Sequence, residues 1–271
     1  MKRERKRATT IVATTVLLGL LAAAPHHAQA QVVQWRSASS STSKGLAALD
    51  AAAQNGKYLF IFFWKNDDQQ SRTMYGVFKS AMGKWTESAD SIGVQITDAD
   101  EKPLVDKYGV NQAPMPLVVA LAPNGAVTKG FPVRFDESQL REAFVSPCTA
   151  KVLKGVQDRK LIFLCIQNQT TRSNAAAMQG VADFKADARY TAATEIVTLD
   201  PADATEAELL EGFEIDPRTD EAVTVFLAPP GRAIGKVKGP TSKDRFIATL
   251  SAASTGCGPG GCGPNGCGPK P

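Results

Sequence analysis

YLFIFFW, residues 58–64, is an unbroken apolar and aromatic run of strand length. A run without polar alternation is the pattern of a strand buried on both faces, as at the centre of an α/β sheet. KLIFLCI, residues 160–166, repeats the pattern about a hundred residues later. Other elements arrange themselves around these two runs. Residues 45–54 (GLAALDAAAQ) predict an alanine-rich helix closed by Asn55-Gly56. Polar residues 65–72 lead to a helix through Met74, Val77, Phe78 and Met82. A second strand is expected at 93–97, then a helix to Tyr108 and a third strand at 117–121. Pro123-Asn124-Gly125 reads as a turn into an antiparallel return strand at 126–129, and a helix over 137–145 closes the unit.

The same order follows residue 160. Strands are expected at 195–199 and 223–227, separated by a helix at 206–213. Phe213-Glu214-Ile215 parallels Tyr108-Gly109-Val110, and Ala228-Pro229-Pro230-Gly231 parallels Ala122-Pro123-Asn124-Gly125. A period of this length is a duplicated domain and not a solenoid. The expected organisation is a signal peptide over 1–30, a flexible lead-in over 31–44 with Trp35 as a docking point, domains at 45–147 and 148–252, and a tail at 253–271. Cys148 is expected just before the second domain on a short linker, with Cys165 a buried strand residue.

The termini differ in kind from the domains. Lys2, Arg3, Arg5, Lys6 and Arg7 precede an apolar run from Ile11 to Ala24, and Ala28-Gln29-Ala30 fits a cleavage site before Gln31. This pattern predicts export to a periplasmic or extracellular location, with no stable membrane insertion after cleavage. The segment carries five of the 31 Lys+Arg, one of the 27 Asp+Glu and both histidines, so the remainder has 26 charges of each sign. A neutral remainder gives no electrostatic support for binding nucleic acid. Without histidine, triads and histidine-containing zinc sites are excluded as well. At the other end, GCGPG, GCGPN and GCGPK repeat with period five, a disordered composition carrying Cys257, Cys262 and Cys267. These thiols could ligate copper(I), exchange disulfides, cross-link, or have no specific ligand.

Element order, the aromatic strand and its polar continuation resemble the thioredoxin family, clearly over 45–145 and more weakly over 150–250. The resemblance implies an α/β fold of two tandem thioredoxin-like domains, each a mixed sheet flanked by helices. In that family the first long strand runs into W-C-x-x-C at the start of the next helix. There the first thiolate is the nucleophile and the second cysteine resolves the mixed disulfide. Here Trp64 is followed by Lys65-Asn66-Asp67-Asp68-Gln69-Gln70-Ser71-Arg72, which places Asp68 and Ser71 where the cysteines belong. Neither forms a disulfide, so the loop is expected to be redox-inactive, and capping of the next helix is favoured for Asp67 and Asp68 over catalysis.

The family's second hallmark is a cis-proline before the third strand. Spacing from Tyr108-Gly109 points to Pro114, and spacing to Gly125 points to Pro116. The latter is preferred, with a cis Met115–Pro116 bond, and Ala222 takes its place in the second domain. By resemblance, the residue before this proline offers its backbone to an extended peptide. Trp64, Asp67, Asp68, Ser71, Met115 and Pro116 are thus the expected peptide-binding set, with no catalytic residue and no cofactor in the domains. The function implied is protein or peptide binding or scaffolding. The alternative is thiol–disulfide or copper chemistry housed in the tail.

Overall fold

The computed structural model describes residues 43–254. Expectations for the signal peptide, for Trp35 and for Cys257, Cys262 and Cys267 lie outside them. In chain order the first domain is α1 (Lys44–Gln54), β1 (Tyr58–Trp64), α2 (Gln69–Met82), β2 (Ala89–Gln95), α3 (Lys102–Tyr108), β3 (Leu117–Leu121), β4 (Val127–Pro132) and α4 (Glu137–Arg141). The second is α5 (Pro147–Gln157), β5 (Leu161–Ile166), α6 (Asn174–Ala186), β6 (Thr194–Leu199), α7 (Ala207–Gly212), β7 (Val223–Ala228), β8 (Arg232–Lys238) and α8 (Lys243–Ser254). The sheets run β2-β1-β3-β4 and β6-β5-β7-β8. In each, the first pair is parallel and the other two are antiparallel. The two tandem thioredoxin-like domains expected from the sequence are therefore present.

Both apolar runs are central because their two faces are covered. Phe60 and Phe62 of β1 pack with Phe78 of α2 and Leu140 of α4, while Leu59, Ile61 and Phe63 pack with Leu49 of α1 and Leu104 of α3. In β5, Ile162 and Leu164 meet Val152 of α5, and Phe163 meets Phe184 and Phe246 of α6 and α8. Phe163 also stacks on Phe226 with ring centroids 4.3 Å apart. Burying each such ring contributes about 1.5–3 kcal/mol, which is why these runs fix the fold.

The duplication extends to backbone conformation. Continuing the strand registers pairs Phe63 with Ile166, Leu117 with Val223, Pro116 with Ala222 and Val133 with Gly239. Positive φ recurs at four matched positions: Gly56 and Arg159, Gly109 and Glu214, Gly125 and Gly231, Val133 and Gly239. Each domain also opens with the same bond, from a serine to a buried glutamate. The Ser43 hydroxyl donates to Glu101 and caps α1, and the Ser146 hydroxyl donates to Glu206 and caps α5.

Several expected boundaries are corrected. Lys44 belongs to α1 and Ser43 is its cap, so the first domain begins before residue 45. The second strand starts at Ala89, since an edge strand tolerates Asp90, paired with Lys57, and exposed Ser91, both of which an apolar reading skips. The return strand runs on to Pro132, and the helix expected over 137–145 stops at Arg141. Cys148 is not on a linker but in the first turn of α5, buried against the second sheet. Ser146 as cap with Pro147 at the first helical position is the local signal for that helix. The last helix reaches Ser254, past the expected domain end at 252.

The domains meet where the β3–β4 turn touches α5. Asn124 Nδ2 donates to the Ala150 carbonyl at 2.8 Å, and the Gln157 side-chain amide bonds both backbone groups of Val127. The Tyr58 hydroxyl donates to the Val145 carbonyl at 2.7 Å and accepts from its N–H at 3.0 Å. Among the described residues no helix is long and apolar enough to cross a membrane.

Candidate functional site

Strand β1 ends at Trp64, and four residues later the chain enters α2. Asp68 holds that entry. It is extended, and its Oδ1 accepts the Ser71 N–H at 2.7 Å. The Ser71 backbone bond, then the Ser71 hydroxyl, hold this carboxyl below the usual range. Ser71 itself is buried. A cap bond of this kind stabilises the helix. Asp67 does not cap: its carboxylate faces Arg72 Nε at 3.1 Å, and its carbonyl accepts from the same guanidinium at 2.8 Å.

Trp64, Asp67 and Ser71 come together with Phe62, Tyr75 and Gly93 around a cavity of about 340 Å³ on the β2 side of β1. Tyr75 is the large hydrophobic residue that stays exposed among the described residues, at 40%. Met115 and Pro116 are not in this cavity. They precede β3 on the other side of β1, where the register carried one residue past Phe63–Leu117 places Pro116 opposite Trp64. The Met115–Pro116 peptide is cis, and Pro116 is buried.

A hydrogen-bond relay ties Pro116 to α2. Val133 N–H donates to the Pro116 carbonyl at 2.7 Å, and Gln70 Nε2 donates to the Val133 carbonyl at 3.2 Å. Val133 has φ of 67°, with Arg134 N–H bonding back to the Pro132 carbonyl at 2.7 Å. This is a three-residue turn in a region that β-branched side chains avoid. Met115 stands beside it, half-buried. Among the described residues neither its N–H nor its C=O has a hydrogen-bond partner. Among the described residues the first domain thus presents an unpaired main-chain donor and acceptor between the α2 entrance and the Val133 turn.

The matching place in the second domain is closed. Its β5–α6 loop is two residues longer than the β1–α2 loop when measured from the paired positions Phe63 and Ile166. It folds back so that Arg172 N–H donates to the Asp220 carbonyl at 2.9 Å and Ala222 N–H donates to the Arg172 carbonyl at 3.0 Å. Glu221, the counterpart of Met115, has its carbonyl bonded by the Thr219 hydroxyl at 2.9 Å. Pro116 has no N–H, so the first domain cannot close in this way.

The described thiols are not poised to react. Cys148 donates to the Thr198 carbonyl at 3.4 Å, and burial, then Glu206, pushes it up to about 11. Burial pushes Cys165 up to about 12. A nucleophilic thiol needs the opposite shift. Among the described residues no cluster of His, Cys, Asp or Glu is placed to hold a metal ion. Gln70, Val133 and the Arg172–Glu221 closure were not foreseen from the sequence. Val133 after Pro132 reads only as more strand, and the closure depends on loop length and register, which are tertiary facts.

No family model matches the sequence, and no curated protein matches it. Among solved structures the chain is similar to the germline-specific thioredoxin Deadhead of Drosophila melanogaster, with 23% identity over 38% of this chain and 92% of that one, at a TM-score of 0.31. Thioredoxin O2 of Arabidopsis thaliana in its oxidised state has 16% identity, covering 37% and 84%, at 0.31. StoA of Bacillus subtilis has 15% identity, covering 32% and 82%, at 0.27.

Proposed function

We propose that this is an exported, non-enzymatic binding protein that takes an extended segment of another protein at the first domain's groove. The observation that carries the reading is the pair of backbone groups on Met115, beside Pro116, that have no partner among the described residues. Their counterpart in the second domain is shut by its own chain. An extended segment laid along Met115 would satisfy both groups, the main-chain mode by which strand addition gains affinity. The cavity beside Trp64 and Tyr75 would take an apolar side chain of a partner reaching past the α2 entrance. Helix capping by Asp68 and the raised thiol pKa values favour binding over disulfide exchange. Export rests on the N-terminal sequence pattern alone.

Fluorescence anisotropy with labelled, S-carboxymethylated insulin B chain, an unfolded probe without free thiols, tests this reading. The purified protein is expected to bind it, and Met115→Pro and Trp64→Ala each to weaken binding roughly tenfold, about 1.4 kcal/mol. Binding unchanged in both variants would show that the segment docks elsewhere.

A further inference from the structure

The closed groove of the second domain is held at a cost. Arg172 pairs with Glu221 in an isolated parallel bridge through the two backbone bonds to Asp220 and Ala222. Its guanidinium pairs with the Asp220 carboxylate, and the Ser173 hydroxyl donates to Glu221 Oε1 at 3.2 Å. To reach this position Ser173 adopts φ of 64°, a left-handed conformation strained for any side chain but glycine. Helix α6 then begins without a side-chain cap. Serine is among the best N-caps when its backbone is extended, and Asp68 shows that conformation at the matching place in α2. The β5–α6 loop thus sets two arrangements in competition, of which the structure holds the closed one. Closed, it has the bridge and the ion pair but a strained, uncapped helix start. Open, it would relax Ser173 and gain a cap, leaving residues 220–222 bare.

We propose that residues 220–222 are a second binding site, for an extended peptide segment bearing a basic side chain, and that residues 171–173 are a displaceable latch lying in it. The present occupant defines the ligand chemistry. It supplies one main-chain donor to the Asp220 carbonyl, one acceptor to the Ala222 N–H, and a guanidinium to the Asp220 carboxylate. Arg172 and Asp220 are both exposed, so a competing segment can reach each contact. Lys238 also pairs with Asp220 at 3.1 Å, which limits an incoming cation to the side Arg172 now holds. The site goes beyond the function proposed above and does not depend on the first groove binding anything.

The probe is the acetylated and amidated peptide Asn-Gln-Thr-Thr-Arg-Ser-Asn, the latch sequence itself, titrated by NMR into labelled protein. Arg172→Ala is expected to bind it at least roughly tenfold more tightly than the unaltered protein, whose latch must first open. Shifts should fall on residues 220–222, and the same peptide with alanine for arginine should bind at least roughly tenfold more weakly. No binding by either protein at millimolar peptide, equal binding by both, or indifference to the peptide's arginine would overturn the proposal. Amide exchange on the unaltered protein gives a second decision free of any variant. The Arg172 and Ala222 amides should exchange by local opening, at least roughly a hundredfold faster than Val225 in β7. Exchange of both only through global unfolding would mean that the latch does not open, and the site would be withdrawn.

Discussion

Two grooves on one scaffold differ by a handful of residues, and the difference decides which is free. In the first domain Pro116 lies opposite Trp64, with Met115 before it and Val133 behind; in the second, Ala222 lies opposite Gln167, with Glu221 and Gly239 in those places. Bulk is exchanged across the pair. A Cβ on Gly239 would meet Glu221 Oε1 at 2.5 Å, so any larger residue there must push the Glu221 carboxylate aside, whereas Met115 stands with a valine. Backbone chemistry is exchanged as well. Ala222 donates the N–H that shuts its groove, and proline has none to donate. A longer loop completes the closure. The duplication thus preserves the backbone path and varies what lies in it.

Exchanging these residues breaks the comparison most severely in the second domain. Gly239→Val puts a β-branched residue at φ of 82° against Glu221, and should cost about 3 kcal/mol, read from the urea midpoint. A cost under roughly 1 kcal/mol would mean that Glu221 moves aside freely. Gly45 and Cys148 occupy matched places behind their capping serines, yet only the glycine is pressed. A Cβ there would lie 2.3 Å from Leu104 Cδ2, so Gly45→Ala should cost about 2 kcal/mol and Cys148→Ala about 1 kcal/mol. The reverse exchange in the first groove should help the fold. Val133→Gly keeps φ of 67° without strain and should stabilise by about 1 kcal/mol.

The smallest effects are at the helix starts. Asp68→Ala removes a cap bond and should lower the melting temperature by roughly 2–4 °C, while Ser173→Ala, which removes no cap bond and only the 3.2 Å bond to Glu221, should shift it by less than about 1 °C. The Asp68 carboxyl is held below its ordinary range. Its contribution is therefore fully present above the usual carboxylate pKa and is lost as pH falls through the depressed value. The gap between Asp68→Ala and the parent protein should close in that acid window. A gap that persists there would place the effect outside the carboxylate.

Much of this architecture was legible because buried strands write themselves in apolar runs. Residues 58–64, 117–121 and 160–166 could be read almost to the residue. Asp68 was legible as a cap, since a short carboxylate before a helix has few other local roles. Strand β2 was not read from its true start, because an exposed edge carries Asp90 and Ser91 without penalty. Helix α5 was missed although Ser146-Pro147 opens it. Its Gly155 weakens helix propensity, and the reason for that glycine is tertiary: a Cβ there would lie 2.9 Å from Ile162 Cδ1. The contrast between the grooves was legible only in part. Pro116 against Ala222 is visible in the sequence, but the loop that turns a missing N–H into an open site is not.

The most direct test of the open and closed assignment is to titrate S-carboxymethylated insulin B chain into uniformly 15N-labelled protein and map the shifted amides. Larger shifts on Met115 and the Asp67–Ser71 loop than on Arg172 and residues 220–222, whose latch must first open, are predicted. Shifts of equal size in both grooves, or only in the second, would contradict it.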